Sequence, residues 1–362
     1  MKKVFFRILI FLITAGIIGV FGLKWFISNR MKQIPNMTTE EVLEFTLKDN
    51  EEAIITVGII DGENMDFVVY GNNGEILSQK EHEYEIGSIT KTFTTSLLSK
   101  GIENQKYDLD DPINKYLPLS QDKKFPSLKN LVTHTSGLKS YYFNFEMGKN
   151  MISGINALSG LSRESIYKQL ENNSKGNEIH PFLYSNLGIA TIGEVMGINE
   201  SSTYTKLMTD FIKNDLDLQH TKISDGTGDL NNYWLWNEND YYIPAGAIIS
   251  TIGDMMKYTK LHINEEISYL ADTHKKLVDV KNNSEDYEVA GIIIDGVGLG
   301  WMIDERNNII WHNGGTSNFN SYLGFDKDKQ LGVVILSNIS PNSRIPATIY
   351  GVKLLKDLQN SK

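Results

Sequence analysis

The sequence predicts an α/β (α+β) domain: an antiparallel β-sheet formed from both chain ends, flanked by helices and interrupted by an inserted, mostly helical region. Two observations predict it. β-Branched, apolar runs cluster near the start of the chain (54–70) and again near its end (298–337). Between them the pattern is helical or irregular. A third observation, an apolar run inside the first thirty residues, predicts a transmembrane helix ahead of the domain.

Taking the elements in order, Lys2, Lys3 and Arg7 precede an apolar run from Ile8 to Leu23, which continues past Lys24 through Trp25, Phe26 and Ile27. About twenty helical residues reach roughly 30 Å, enough to cross a bilayer with Lys24 snorkelling to the interface. Val20-Phe21-Gly22 is a marginal cleavage site and no Ala-x-Ala occurs in the first thirty residues, so residues 1–30 are expected to be an uncleaved signal anchor rather than a cleaved signal peptide. Arg30 and Lys32 balance the N-terminal charges, so the flanks do not set orientation. Residues 31–44, with Pro35, read as a polar tether. The domain is placed at 45–362, its α/β part at 45–105 and 246–362 and its helical insert at 106–245.

Ile54–Ile60 and Phe67–Tyr70 flank a turn at Asp61-Gly62-Glu63-Asn64 and read as a hairpin. A helix is expected from about Ser88, with Phe93, Leu97 and Leu98 as its apolar stripe and Gly101 as its left-handed stop. Ser250-Thr251 carries a capping signal for a helix with Met255, Met256 and Leu261. Strands are expected at Gly298–Ile303, Asn308–His312, Ser321–Phe325 and Leu331–Ser337, then a helix from about Pro346 to Leu358. Asn282–Asp286 reads as a surface loop.

The net charge of −10 argues against a nucleic-acid binder, which needs a basic face. With no cysteine, disulfides, thiolate nucleophiles and zinc ribbons are excluded. The seven histidines show no His-x-x-x-His or mixed carboxylate spacing, so no metal and no cofactor are expected.

Ser88-Ile89-Thr90-Lys91 is the most informative segment. On a helix its hydroxyl and amine share a face, and a deprotonated amine activates a serine for acyl transfer. A lysine of ordinary pKa, about 10.4, resists deprotonation at pH 7 by about 4.6 kcal/mol, which burial or nearby positive charge must supply. Tyr184-Ser185-Asn186 precedes an apolar helical pattern; the phenol suits a proton shuttle and the amide suits a substrate carbonyl or the lysine, although a plain helix-entry turn has the same appearance. Trp311-His312-Asn313-Gly314-Gly315 ends a strand; its glycines suit either close approach to a ligand or a hairpin turn. His134 with Thr135 and Ser136 reads as a structural turn near the cleft, and Tyr233, Trp234, Trp236, Tyr241 and Tyr242 as either a cleft rim or packing.

Ser-x-x-Lys, Tyr-x-Asn about a hundred residues later and His-x-Gly near the C-terminus together resemble the penicillin-recognising serine hydrolases of the class C β-lactamase type. D-alanyl-D-alanine carboxypeptidases, D-amino-acid peptidases and esterases are relatives. Leu109-Asp110-Asp111-Pro112, Leu131–Leu138, Pro244-Ala245-Gly246 and Leu299-Gly300-Trp301 look similar too, so the resemblance runs from about 45 to 350. It implies a β-lactamase/transpeptidase-like fold with Ser88 as nucleophile and Lys91 and Tyr184 sharing acid and base duties. It further implies that Asn186, His312, Gly314 and Gly315 bind substrate, and that the N–H groups of Ser88 and Gly315 form an oxyanion hole worth roughly 3–4 kcal/mol per donor. His312 stands where the β-lactamases carry lysine, and a histidine, largely neutral at pH 7, suits a substrate carboxylate less well. The expected protein is therefore a single-pass membrane hydrolase with an extracellular catalytic domain, acting on a D-amino-acid peptide or ester of the cell envelope. A β-lactamase, a teichoic-acid D-alanyl esterase and a penicillin-binding sensor that does not turn over are the alternatives. Its partners are expected to be a small peptide or ester, with β-lactams as a further option, and the lipid bilayer. No nucleic acid is expected, and the sequence leaves oligomeric state open.

Overall fold

The computed structural model describes residues 36–280 and 285–362. The expected anchor at 1–30 and the start of the expected tether lie outside those residues. Among the described residues no helix is long and apolar enough to cross a membrane. The rest of the tether is corrected: Thr39–Leu47 is helix α1, started by a capping box in which Thr38 and Glu41 satisfy each other's backbone N–H groups. Val42, Leu43 and Leu47 on this helix are buried, which explains why the segment packs.

The large sheet is antiparallel, in the order β2-β1-β11-β10-β9-β8-β7-β6. β1 (Ile55–Asp61) and β2 (Asn64–Tyr70) form the expected hairpin, and β1 pairs on its other edge with β11 (Leu331–Ser337), joining the two chain ends. β9 (Ile309–Gly315) and β10 (Asn320–Asp326) continue the sheet to β8 (Met302–Asp304), β7 (Gly296–Val297) and β6 (Val278–Asp279). The single strand expected at Gly298–Ile303 is instead β7 and β8, separated by a turn in which Gly300 takes a left-handed φ of 74°.

Both faces of β11 are covered, which is why its sequence is continuously apolar rather than alternating. Val333 and Ile335 pack with α1 and the C-terminal helix, Ala347–Asn360, whereas Val334 and Leu336 join Phe93, Met255 and Met256 on the opposite face. Each such side chain contributes roughly 1.5–3 kcal/mol on burial.

The opposite face carries α2 (Thr90–Glu103). The insert that follows includes α3 (Phe145–Ile152), α4 (Arg163–Asn173), α5 (Asn186–Asn199) and α6 (Tyr204–Asp210). α7 (Ile252–Asn264), capped by Thr251, returns to the same face as α2, and α8 is the C-terminal helix Ala347–Asn360. Gly101 is not the stop of α2. It is buried within the helix, where a Cβ would meet the Tyr107 ring at 2.4 Å, and the left-handed residue comes later, at Gln105. Of the loop expected at 282–286, residues 282–284 lie outside the described ones, and Glu285 opens a short helix to Val289.

Candidate active site

A three-stranded sheet absent from the sequence reading, β3 (Tyr84–Glu85), β5 (Ile248–Ser250) and β4 (Lys222–Ile223), delivers the Ser88 turn. Ile86 N donates to Ile248 O at 3.0 Å, while Ser321 Oγ on β10 donates to Ile86 O at 2.8 Å, so this residue is pinned to both sheets. Glu85, just before it, accepts from Trp234 N at 2.5 Å and Thr316 Oγ1 at 2.6 Å. Gly87–Ile89 form a 3-10 turn, so Ser88 sits just ahead of α2 and Lys91 one turn further on.

Two glycines bring that turn against β9. Gly87 has φ +50°, and a Cβ there would lie 2.5 Å from Gly315 N; a Cβ on Gly314 would lie 1.9 Å from Ile86 O. Only glycine permits such backbone contact. It places Gly315 N–H beside the residue preceding Ser88, the kind of backbone donor placement that an oxyanion site requires. β9 pairs with β10 along His312–Gly315, but with β8 only at Ile309–Trp311, so its last four residues present an open edge beside Ser88.

Lys91 is fully buried. Its Nζ lies 2.9 Å from Ser88 Oγ, donates to the Ala245 carbonyl at 2.5 Å and sits 5.1 Å from the Tyr184 ring centre. Burial alone holds its pKa well below the ordinary lysine value, with no carboxylate offsetting the shift. The protein packed around Tyr184 pushes the pKa of its hydroxyl well up, with Ser88 pulling weakly the other way, so it carries its proton at neutral pH.

His134 fixes Tyr184. In a left-handed conformation (φ 59°), its carbonyl accepts from Leu183 N at 2.8 Å and its Nδ1 accepts from Ser185 N at 3.2 Å, bracketing the tyrosine on both sides. The His134 and Tyr184 rings are 4.6 Å apart. Ser185 caps α5 by accepting from Gly188 N, and Ser140 Oγ donates to the Tyr184 carbonyl. Asn186 begins α5, and its amide has no partner among the described residues. His312 is buried with its ring 6.2 Å from Tyr184; Nδ1 meets Asn313 O at 2.7 Å and Nε2 is unpartnered. Burial, with the Lys91 charge, pulls its pKa down to about 3, so it is neutral at pH 7.

The structure thus gathers Ser88, Lys91, Tyr184, His312, Gly314 and Gly315 at one point, with Asn186 at the adjoining helix start. Sequence reasoning assigned no role at the site to Gly87, Glu85 or the Ala245 carbonyl. Gly87 was visible as the glycine preceding Ser88. Of the conspicuous aromatics, Trp236, Tyr241 and Tyr242 are buried and Tyr233 stacks on Phe319 at 4.9 Å, while the half-buried Trp234 donates its Nε1–H to Ser317 Oγ at 3.1 Å. Among the described residues no group of three or more His, Asp or Glu side chains could hold a metal.

This sheet and this serine turn define a serine hydrolase of the penicillin-recognising class. The chain belongs to the beta-lactamase family, whose pattern residues 49–355 match. It is 24% identical over 334 residues, 84% of each chain, to the D-alanyl-D-alanine-carboxypeptidase/endopeptidase AmpH of Escherichia coli strain K12. It is 22% identical over 276 residues, 71% of this chain, to Protein flp of Staphylococcus aureus strain COL, of whose length it spans about half, 53%. The solved beta-lactamase/D-alanine carboxypeptidase from Yersinia pestis shares the fold, with a TM-score of 0.69 and 18% identity over 91% of this chain and 98% of that one.

Proposed function

We propose that this chain is a membrane-anchored serine hydrolase working outside the cytoplasmic membrane on D-amino-acid peptides or esters of the cell envelope, through an acyl-enzyme on Ser88. The observation that carries the reading is the buried, weakly basic Lys91 amine 2.9 Å from Ser88 Oγ. Ser88 Oγ bonds to the substrate carbonyl carbon as its proton passes to Lys91. The carbonyl oxygen takes up charge beside the Ser88 and Gly315 N–H groups, the bond to the leaving group breaks, and Tyr184 hands that group a proton. Water activated by the same pair then frees the acid. Asn186 and the open edge of β9 orient the substrate. The anchor rests on the apolar run Ile8–Ile27. The envelope substrate rests on the names of AmpH and the Yersinia pestis protein.

The test is labelling of the full-length chain and its Ser88→Ala variant with a fluorophosphonate and a fluorescent penicillin, followed by turnover of a D-alanyl-D-alanine peptide, a D-alanyl ester and a chromogenic cephalosporin. Labelling lost in the variant, with peptide or ester cleavage, is expected. Equal labelling of both removes Ser88 as nucleophile. Rapid cephalosporin turnover alone makes the chain a β-lactamase, and stable labelling without turnover makes it a binding protein.

A further inference from the structure

A cavity of about 470 Å³ opens from Ser88 and Tyr184, past the free edge of β9 and under the start of α8. Its walls include Phe182, Ile292, Ile294, Met302, Pro346 and Ile349. Three polar side chains at its floor are committed to the protein itself, while the Thr348 and Tyr287 hydroxyls also line it. Asn313 Nδ2 donates to Thr348 Oγ1 at 2.8 Å, and Trp311 Nε1 donates to Ile293 O at 3.1 Å. Asn320 donates to Gly314 O at 2.7 Å and accepts from Ala347 N at 2.6 Å. No lysine or arginine lines the cavity among the described residues. Arg344, the nearest cation in sequence to its rim, is turned away, donating to Phe45 O at 2.7 Å.

Tyr184 lines this cavity, and in the proposed reaction it protonates the departing atom, so the cavity receives the leaving group. A free carboxylate there would lose its hydration with no lysine or arginine among the described residues to replace it, whereas an apolar group would be buried favourably. We propose that the substrate's leaving group is an uncharged, apolar alcohol or amine, as in an ester or an internal amide, and not an amino acid with a free carboxylate. The inference rests on the serine-hydrolase reading above. In the step it concerns, the Ser88 Oγ–acyl bond forms, the bond from the acyl carbon to this alcohol oxygen or amine nitrogen breaks, and the neutral leaving group departs with the proton from Tyr184.

The test offers the full-length chain three substrates sharing the acyl group N-acetyl-D-alanyl: the D-alanine dipeptide, its D-alaninamide analogue and an isobutylamide. Fluorophosphonate labelling of Ser88 is measured on the same preparation. The expected order of kcat/KM is isobutylamide, then alaninamide, then dipeptide, with about tenfold or more between first and last. In Ile294→Lys, a partly buried wall position given a cation, the ratio narrows toward the dipeptide. A dipeptide cleaved as fast as the isobutylamide by the unsubstituted chain overturns the inference and leaves the hydrolase reading standing. So does a labelled Ser88 that cleaves none of the three, because the neutral apolar substrate was offered. No cleavage and no labelling overturn the hydrolase reading itself.

Discussion

Two pairs of buried histidines lie in this molecule, and only one of them faces the candidate site. His134 and His312 flank Tyr184, each with one ring nitrogen tied to backbone and the other unpartnered. His262, on α7, and His274 sit among Tyr258, Trp301 and Phe325, with His262 4.9 Å from the Trp301 ring and 5.4 Å from His274. Neither nitrogen of either ring has a hydrogen bond, although a Glu265 oxygen lies 3.5 Å from His274 Nδ1, outside hydrogen-bonding geometry. All four are held neutral by burial. Burial and a depressed pKa therefore do not separate a site from a core. Backbone anchoring that aims a ring at a reactive cluster does, and this difference is what the following experiments probe.

The largest effect belongs to the cluster itself. Ser88→Ala and Lys91→Ala should each reduce kcat by about a thousandfold or more, because the two groups act as a unit and the second substitution adds little to the first. Steady-state kinetics of the single and double variants check this. Additive losses would mean that Lys91 does not work through Ser88.

His134→Ala comes next. Removing the ring deletes the acceptor for Ser185 N and loosens Tyr184, so kcat should fall about ten- to hundredfold with KM little changed, since misplacement by about 1 Å carries that cost. His262→Phe, in the other pair, keeps an aromatic ring in an aromatic environment and should change kcat less than about threefold, being remote from the reacting atoms. Comparable losses in both variants would erase the distinction between the pairs.

Stability against pH tests the core pair directly. His262 and His274 have folded pKa values below the ordinary 6.5, that of His274 at about 3. The unfolded chain thus binds more protons than the folded one between about pH 6.5 and 3, and stability falls as pH falls through that window. Removing one buried neutral histidine should shallow that slope. Urea midpoints of His262→Phe and the unsubstituted chain at pH 7 and pH 5 check it; an unchanged difference between the two pH values would show that His262 carries none of the acid sensitivity.

The sheet was legible because its central strands are long and buried on two faces: Leu331–Ser337 shows as an uninterrupted apolar run, and Ile309–Gly315 ends in glycines that must meet the serine turn. β3 and β5 were not, since two or three residues such as Tyr84-Glu85 carry no period. Gly101 misled because a glycine near a helix end fits a stop as well as a contact with the Tyr107 ring, and only packing decides. The spacing of Ser88 and Lys91 was readable as one helix turn. The loss of the lysine proton was not, because it depends on burial contributed by segments as distant as Ala245. Likewise the cavity walls come from Phe182, Ile292, Met302 and Ile349, four stretches with no common sequence pattern.

The smallest expected effect is the most discriminating for His312. Its pKa of about 3 lies below the range in which the enzyme would be assayed, and its Nδ1 is tied to Asn313 O. Between pH 5 and 9, roughly, the ring should neither gain nor lose a proton, so the pH profile of kcat/KM should take its shape from the remaining ionisable groups. His312→Gln, which keeps a neutral polar side chain beside Tyr184, should therefore lower the height of that profile without moving its limbs. A limb near pH 6 that disappears in His312→Gln would mean that the ring is protonated in the free enzyme. His312 would then match a substrate anion as the lysine of the β-lactamases does, and the contrast between its pair and the silent pair around Trp301 would be one of charge rather than of anchoring.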